Sequence, residues 1–275
     1  MPSLKLDTRE LAEQYDVISD KQFEHGKLLL ADLRVTSGLR VLDVGCGTGR
    51  LGEYAASELV GEQHGEVVGV EPLALRVDIA RQRVLTNRTA NHHVHIGRAE
   101  NLSQFEDASF DIVYLNSVYH WLADKRPVLA EAFRVLKPTG RLGISVASKD
   151  RPHDIQRVLQ DVLVEHALYR DATGATPHRV GFSELGSQLE GAGFLIDQII
   201  LRSFADVFPN AEAVLDFNSA SSFGNYLTDY TPDTRERVLA SLRQRFTALQ
   251  TAEGIVACRH LLFAVASKPV AGKPA

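Results

Sequence analysis

An acid followed by three glycines at alternate positions, Asp43-Val44-Gly45-Cys46-Gly47-Thr48-Gly49, is the stretch of this sequence best suited to chemistry. Arg40-Val41-Leu42 precedes it, and its apolar run predicts a short buried strand that ends at the acid. Glycine has no Cβ, so the backbone here can turn sharply and let a ligand come close. Residues 51–59 are expected to continue as a helix, which sets unpaired N–H groups at the mouth of the turn. Val67-Val68-Gly69-Val70-Glu71 is a second apolar strand ending in an acid, 22 residues after Gly49. A carboxylate at that distance can accept both hydroxyls of a ribose, and the same position suits a helix N-terminal acid. Pro72 would shape the turn beside it.

Further along, Val94-His95-Ile96-Gly97-Arg98-Ala99-Glu100 reads as a third strand running into a loop, and Phe110-Asp111-Ile112-Val113-Tyr114-Leu115-Asn116 as a fourth. His120 follows four residues past Asn116, at the expected mouth of a pocket. It is either a general base or a residue of packing and substrate shape. Tyr119 and Trp121 flank it, and the expectation is that Tyr119 lines the pocket while Trp121 joins the core. Tyr15, from an N-terminal helix, either reaches over the ligand or packs that helix. Phe217, Phe223 and Tyr226 either line a cap or form its interior. His92, His93 and His95 do not make a metal site: on a strand His93 and His95 share a face while His92 points away. No nearby Cys or acid completes a site of the usual type, so no metal is expected.

Spacing narrows the ligand. A dinucleotide turn needs G-x-G-x-x-G, and Gly49 comes one residue early, with Arg50 in the last glycine position. A phosphate-binding P-loop needs a Lys that is absent here. The pattern apolar-apolar-Asp-apolar-Gly-x-Gly-x-Gly instead resembles the first motif of class I S-adenosylmethionine-dependent methyltransferases. The run of segments from Arg40 to Ala147 follows that family. The resemblance implies an α/β fold: a Rossmann-like, seven-stranded, mostly parallel sheet with an antiparallel last strand, plus a helical cap. It implies S-adenosylmethionine as cofactor, with Asp43, Gly45, Gly47, Glu71, Pro72, Ala99, Glu100 and Asn116 around it. Arg98 stands where the family usually has an Asp contacting adenine, so the Ala99 amide and the Glu100 side chain are the candidates for that contact. Leu-Asn-Ser-Val-Tyr-His-Trp (115–121) resembles the trans-aconitate and malonyl-carrier methyltransferases, whose acceptors are carboxylates. The implied function is methyl transfer to a small molecule at oxygen, carboxylate or hydroxyl, or at an acidic carbon. His120 would be the catalytic residue, and Tyr15, Tyr119, Phe217 and Tyr226 would meet the substrate. The alternative is a catalytically inactive protein that binds S-adenosylmethionine or its demethylated product as a sensor or partner.

The elements that must hold these residues follow from patterning. A chain of 275 residues that is 44% hydrophobic can build one large α/β domain. The net charge of −5 carries no long basic run, so no nucleic-acid partner is expected. No apolar stretch reaches membrane-spanning length and no signal sequence is evident, so a soluble, cytoplasmic protein is expected. Its two cysteines do not suggest disulfides. Nothing in the sequence sets the oligomeric state. Residues 1–39 read as an N-terminal helical cap segment, with Asp7 and Glu10 as a capping box. Residues 40–148 read as the cofactor-binding core. Residues 149–267 hold the sixth and seventh strands (194–204 and 255–266) and cap insertions within the same domain. Residues 268–275 read as a loose tail. The long inserts should lie over the carboxyl ends of the central strands, where such sheets bind ligands.

Overall fold

The computed structural model describes residues 6–61, 65–168, 178–222 and 226–270. Phe223 and the tail residues 271–275 lie outside them. The chain opens with α1 (Arg9–Ile18) and α2 (Asp20–Asp32). Then come β1 (Arg40–Val44), α3 (Arg50–Tyr54) running on into wider turns over Ala55–Val60, β2 (Glu66–Glu71), α4 (Ala74–Asn87), β3 (His92–Ile96) and β4 (Phe110–Asn116). After these come α5 (Arg126–Val135), β5 (Leu136–Ala147), α6 (Asp154–Glu165), α7 (Phe182–Gly191) and β6 (Leu195–Phe208). The last elements are α8 (Ala211–Ser221), α9 (Pro232–Ala248) and β7 (Ile255–Ser267).

The seven strands form one sheet in the order β3-β2-β1-β4-β5-β7-β6. β1 to β5 pair in parallel, while β7 is antiparallel to both β5 and β6. Helices cover both faces, so the central strands are apolar on both sides rather than alternating. Leu42, Val113 and Leu115 face α5 and α7 through Val128, Leu129, Leu185 and Leu189. Val41 and Ile112 face the other way, onto Leu29 and Leu30 of α2 and Leu33 at its end.

A third apolar cluster belongs to the cap. Val162 and Leu163 of α6, Val214 and Phe217 of α8, and Val238, Leu242 and Phe246 of α9 close on Phe208 and Ile255. Residues 205–208 carry β6 beyond its expected end. They pair with 255–258 of β7 as an arm that reaches the cap. Thr231 caps α9 and Pro232 opens it, as the Thr-Pro pair predicts. Asn210 caps α8, its side chain accepting from the Ala213 amide at 2.9 Å.

Two local expectations fail for identifiable reasons. Thr8, not Asp7, caps α1, its hydroxyl accepting from the Leu11 amide at 3.2 Å. Asp7 is instead drawn into a buried bidentate pair with Arg76 of α4, both contacts at 3.0 Å. Lys268, expected to start the loose tail, is tied down: its ammonium donates to the Phe133 and Leu136 carbonyls at 2.6 and 2.7 Å.

Candidate active site

Strand order reverses between β1 and β4, which run to β2 and β5 on either side, and this opens a crevice at their carboxyl ends. The glycine turn leaves β1 at that crevice, and its glycines answer separate demands. A Cβ on Gly45 would lie 2.4 Å from Val118, and one on Gly49 would lie 2.8 Å from Ala80 of α4, so packing excludes side chains at both. Among the described residues Gly47 faces open space, with only Tyr15 Cε1 within reach at 3.9 Å, and its φ of +55° suits glycine. The Gly47 amide donates to Glu71 Oε2 and the Leu73 amide to Glu71 Oε1, each at 3.1 Å. Burial raises the Glu71 carboxyl above its ordinary pKa, against the pull of the Arg76 charge and these two amides.

Ion pairs set α1 across this turn. Asp16 takes the Arg83 guanidinium at 2.7 Å, and its carbonyl accepts from Arg50 at 2.8 Å. With Asp7 on Arg76 these contacts hold Tyr15 over Gly47, its ring stacked on the Arg76 guanidinium at 4.5 Å.

Glycine turn, β4 and cap open onto one cavity of about 690 Å³, within the usual range of about 300–1,000 Å³ for ligand pockets. Tyr15, Gly45, Gly47, Glu71 and Pro72 line one end of it. Ala99, Glu100 and Asn116 line it beside them. Asn116 is fixed on both sides, accepting from Ser145 Oγ at 2.6 Å and donating to the Gln22 carbonyl at 3.0 Å. Arg98 also lines the cavity, 3.4 Å from Glu100. His120, Phe217 and Tyr226 complete the set that the structure brings together.

Two expected site residues stand elsewhere. Asp43 does not line the cavity: it lies beneath the turn, opposite Tyr114 in the β1–β4 register. Burial raises its carboxyl to about 7, against the pull of the Tyr114 hydroxyl. Tyr119 also turns inward, fully buried, with its hydroxyl donating to Gln188 Oε1 at 2.8 Å. Trp121, expected in the core, lines the cavity instead. The reason is a short 3₁₀ turn over Tyr119–Trp121, in which successive side chains fan out instead of alternating as on a strand.

His120 Nδ1 is shielded from solvent and, among the described residues, has no hydrogen-bond partner. Burial pushes the imidazole down to about 3, and the Arg179, Lys125 and Arg259 charges push the same way. It is therefore neutral at physiological pH and a weak proton acceptor, which runs against the expectation of a general base. His153, the residue before α6, is held down to about 2 by burial, then by Arg259 and Arg179.

Sequence reasoning missed Arg179, Arg259, Asp206 and His153, all on the cavity wall. Arg259 donates through Nε to Asp206 Oδ2 at 2.7 Å, a diagonal cross-strand pair of β7 and β6. For Asp206 and Arg259, charges inside otherwise apolar strands were the available signal; Arg179 and His153, outside any strand, offered none. Of the three strand histidines, His92 is buried against Glu53 at 3.1 Å, and His93 and His95 face outward. Among the described residues no group of His, Cys, Asp and Glu is arranged to hold a metal, and no helix is long and apolar enough to cross a membrane.

A parallel-stranded crevice with a glycine turn and an acid at the next strand end defines a nucleotide-binding α/β protein. Residues 35–180 match the family model described as a methyltransferase domain. The chain belongs to the class I S-adenosylmethionine-dependent methyltransferase family, whose cofactor is S-adenosylmethionine. It is 34% identical over 161 residues to an arsenite methyltransferase of Mus musculus, covering 52% of this chain and 41% of that protein. It is 29% identical over 181 residues to a demethylmenaquinone methyltransferase of Lactiplantibacillus plantarum, covering 61% of this chain and 75% of the other. The fold superposes on the YcgJ protein of Bacillus subtilis with a TM-score of 0.62 at 22% identity, covering 90% and 99% of the two chains. The chain thus spans about two-fifths of the length of the mouse relative.

Proposed function

We propose that this protein transfers a methyl group from S-adenosylmethionine to a small-molecule acceptor, at a carboxylate or hydroxyl oxygen or at an acidic carbon. The observation that carries this is the single cavity shared by the glycine turn, Glu71, His120 and the cap. Bound S-adenosylmethionine supplies the electrophilic methyl. The open face of Gly47 and the buried Glu71 carboxylate fit its ribose. A carboxylate has about four lone-pair sites, so Glu71 can serve two amides and still accept from hydroxyls. Tyr15 closes this end from above, and Pro72, Ala99, Glu100 and Asn116 flank it.

Methyl transfer is a displacement governed by proximity and alignment. The cap serves this by enclosing the acceptor away from bulk water. Neutral His120, with Trp121 and the cap residues Phe217 and Tyr226, positions the acceptor. An acceptor already ionised needs no proton removed, which favours the carboxylate among the candidate groups.

Arsenite, the substrate in the name of the mouse relative, suits this site poorly. A soft, thiol-seeking acceptor calls for thiolates. This chain has two cysteines, and only Cys258 lines the cavity. Calorimetry with S-adenosylmethionine, followed by methyl release from labelled cofactor against a panel of small acids and phenols, tests the proposal. Binding with no transfer to any acceptor would favour the inactive sensor. Absence of binding would refute the reading.

A further inference from the structure

We propose that the cavity wall built from Arg259, Arg179, His120 and His153 binds an oxyanion of the acceptor, a carboxylate or a phosphate, so that the substrate is a small acid. This inference rests on the methyltransferase reading and names the substrate class for the same site.

Four separate parts of the fold deliver these side chains to one wall. Arg259 comes from β7 and Arg179 from the segment before α7. His153 precedes α6, and His120 follows β4. Arg259 engages Asp206 through Nε and Nη2, both at 2.7 Å on the same oxygen. Among the described residues its Nη1 makes no hydrogen bond, so a donor edge of a charge-bearing, largely buried guanidinium remains for a ligand. The Phe217 ring supports that guanidinium at 4.9 Å and fixes its plane. Guanidinium is the group whose geometry best matches a carboxylate or phosphate.

The His153 imidazole adds a donor, not charge. His153 Nδ1 accepts from the His260 amide at 3.1 Å, which puts the proton of the neutral ring on Nε2. Among the described residues His120 Nδ1 is buried without a partner. Both rings are held far below the ordinary histidine value by burial and by the arginine charges. A bound anion would offset those charges. Lys125, the other cation near His120, is turned away: its ammonium donates to the Tyr119 and His178 carbonyls at 2.7 and 3.0 Å. The two further acids on the cavity wall, Asp161 and Asp229, come from α6 and the turn before α9.

The test uses the whole protein saturated with S-adenosylhomocysteine, which prevents turnover. Phenylpropionate, phenyl phosphate and uncharged phenylpropionamide are titrated calorimetrically, their rings matching the Trp121, Phe217 and Tyr226 lining. One of the two anions should bind at least about tenfold more tightly than the amide, and which one does separates carboxylate from phosphate. Arg259→Gln or Arg179→Gln should reduce that affinity about tenfold to a hundredfold while S-adenosylhomocysteine still binds. Arg179→Gln stands in if loss of the Asp206 partner unfolds Arg259→Gln. Binding of the anion should also raise the midpoints at which the His120 and His153 ring signals titrate. Equal affinity for anion and amide, or anion binding unchanged in both variants, overturns the proposal. Failure of the parent protein to bind S-adenosylhomocysteine would strike the methyltransferase reading itself.

Discussion

His120 should remain neutral in the folded protein well below the pH at which a free histidine takes its proton. Its pKa is held at about 3, against 6.5 for the ordinary side chain, first by burial and then by the charges of Arg179, Lys125 and Arg259. The folded value lies below the unfolded one, so the unfolded chain takes the proton first. The contribution of His120 to stability is therefore complete above pH 6.5 and is lost as pH falls from there toward 3. At pH 5.5 the unfolded state gains about 1 kcal/mol from this one site, and several times that at low pH, since each pH unit of separation is worth somewhat over about 1 kcal/mol. His25 and His153 share the sign, at about 3 and about 2. Asp43, raised to about 7, opposes them, since its burial cost falls as it is protonated below that pH. Comparison with His120→Gln isolates the single site. Urea unfolding at pH 8 and 5.5 should show the parent losing about 1 kcal/mol more than the variant. The His120 ring resonance should show no titration between pH 5 and 8.5. A folded-state midpoint near 6.5, or equal acid sensitivity in parent and variant, would refute the reasoning and restore His120 as a candidate base.

Three further perturbations follow from the same geometry. Glu71→Ala removes the acceptor for the Gly47 and Leu73 amides and for the ribose, so S-adenosylmethionine affinity should fall about tenfold to a hundredfold by calorimetry, and unchanged affinity would sink the assignment. Gly47→Val places a β-branched residue at φ +55° and fills the open face of the turn. It should cost about 1–2 kcal/mol of stability and abolish cofactor binding, and normal titration would move the ligand elsewhere. Asp7→Asn leaves the Arg76 guanidinium buried beside an uncharged partner. Stability should drop by about 3–5 kcal/mol in denaturant unfolding, and a change within error would show that the pair does not tether α1.

Much of the glycine-turn end of the cavity was legible in the sequence. Apolar runs ending in Asp43, Glu71 and Asn116 mark strand ends, and strand ends in a parallel sheet lie side by side. Period and punctuation depend only on neighbours along the chain, so the Thr231-Pro232 start of α9 and the glycine turn could be read directly. Tertiary structure decided what depends on contacts distant in sequence. Asp7 left its expected cap because Arg76, 69 residues away, offered a charged partner in a dry site. Tyr119 and Trp121 exchanged their expected places because a 3₁₀ turn replaced strand alternation, and Gln188 on α7 offered Tyr119 an acceptor. The wall of Arg179, Arg259, His120 and His153 is assembled from β7, where it runs past β5 to meet the cap, and from three other segments far apart in sequence. The sequence by itself determined the strands, the turn and the family. The electrostatic character of the cavity wall beneath the cap was decided by burial and by charges converging from four distant segments, which no local pattern records.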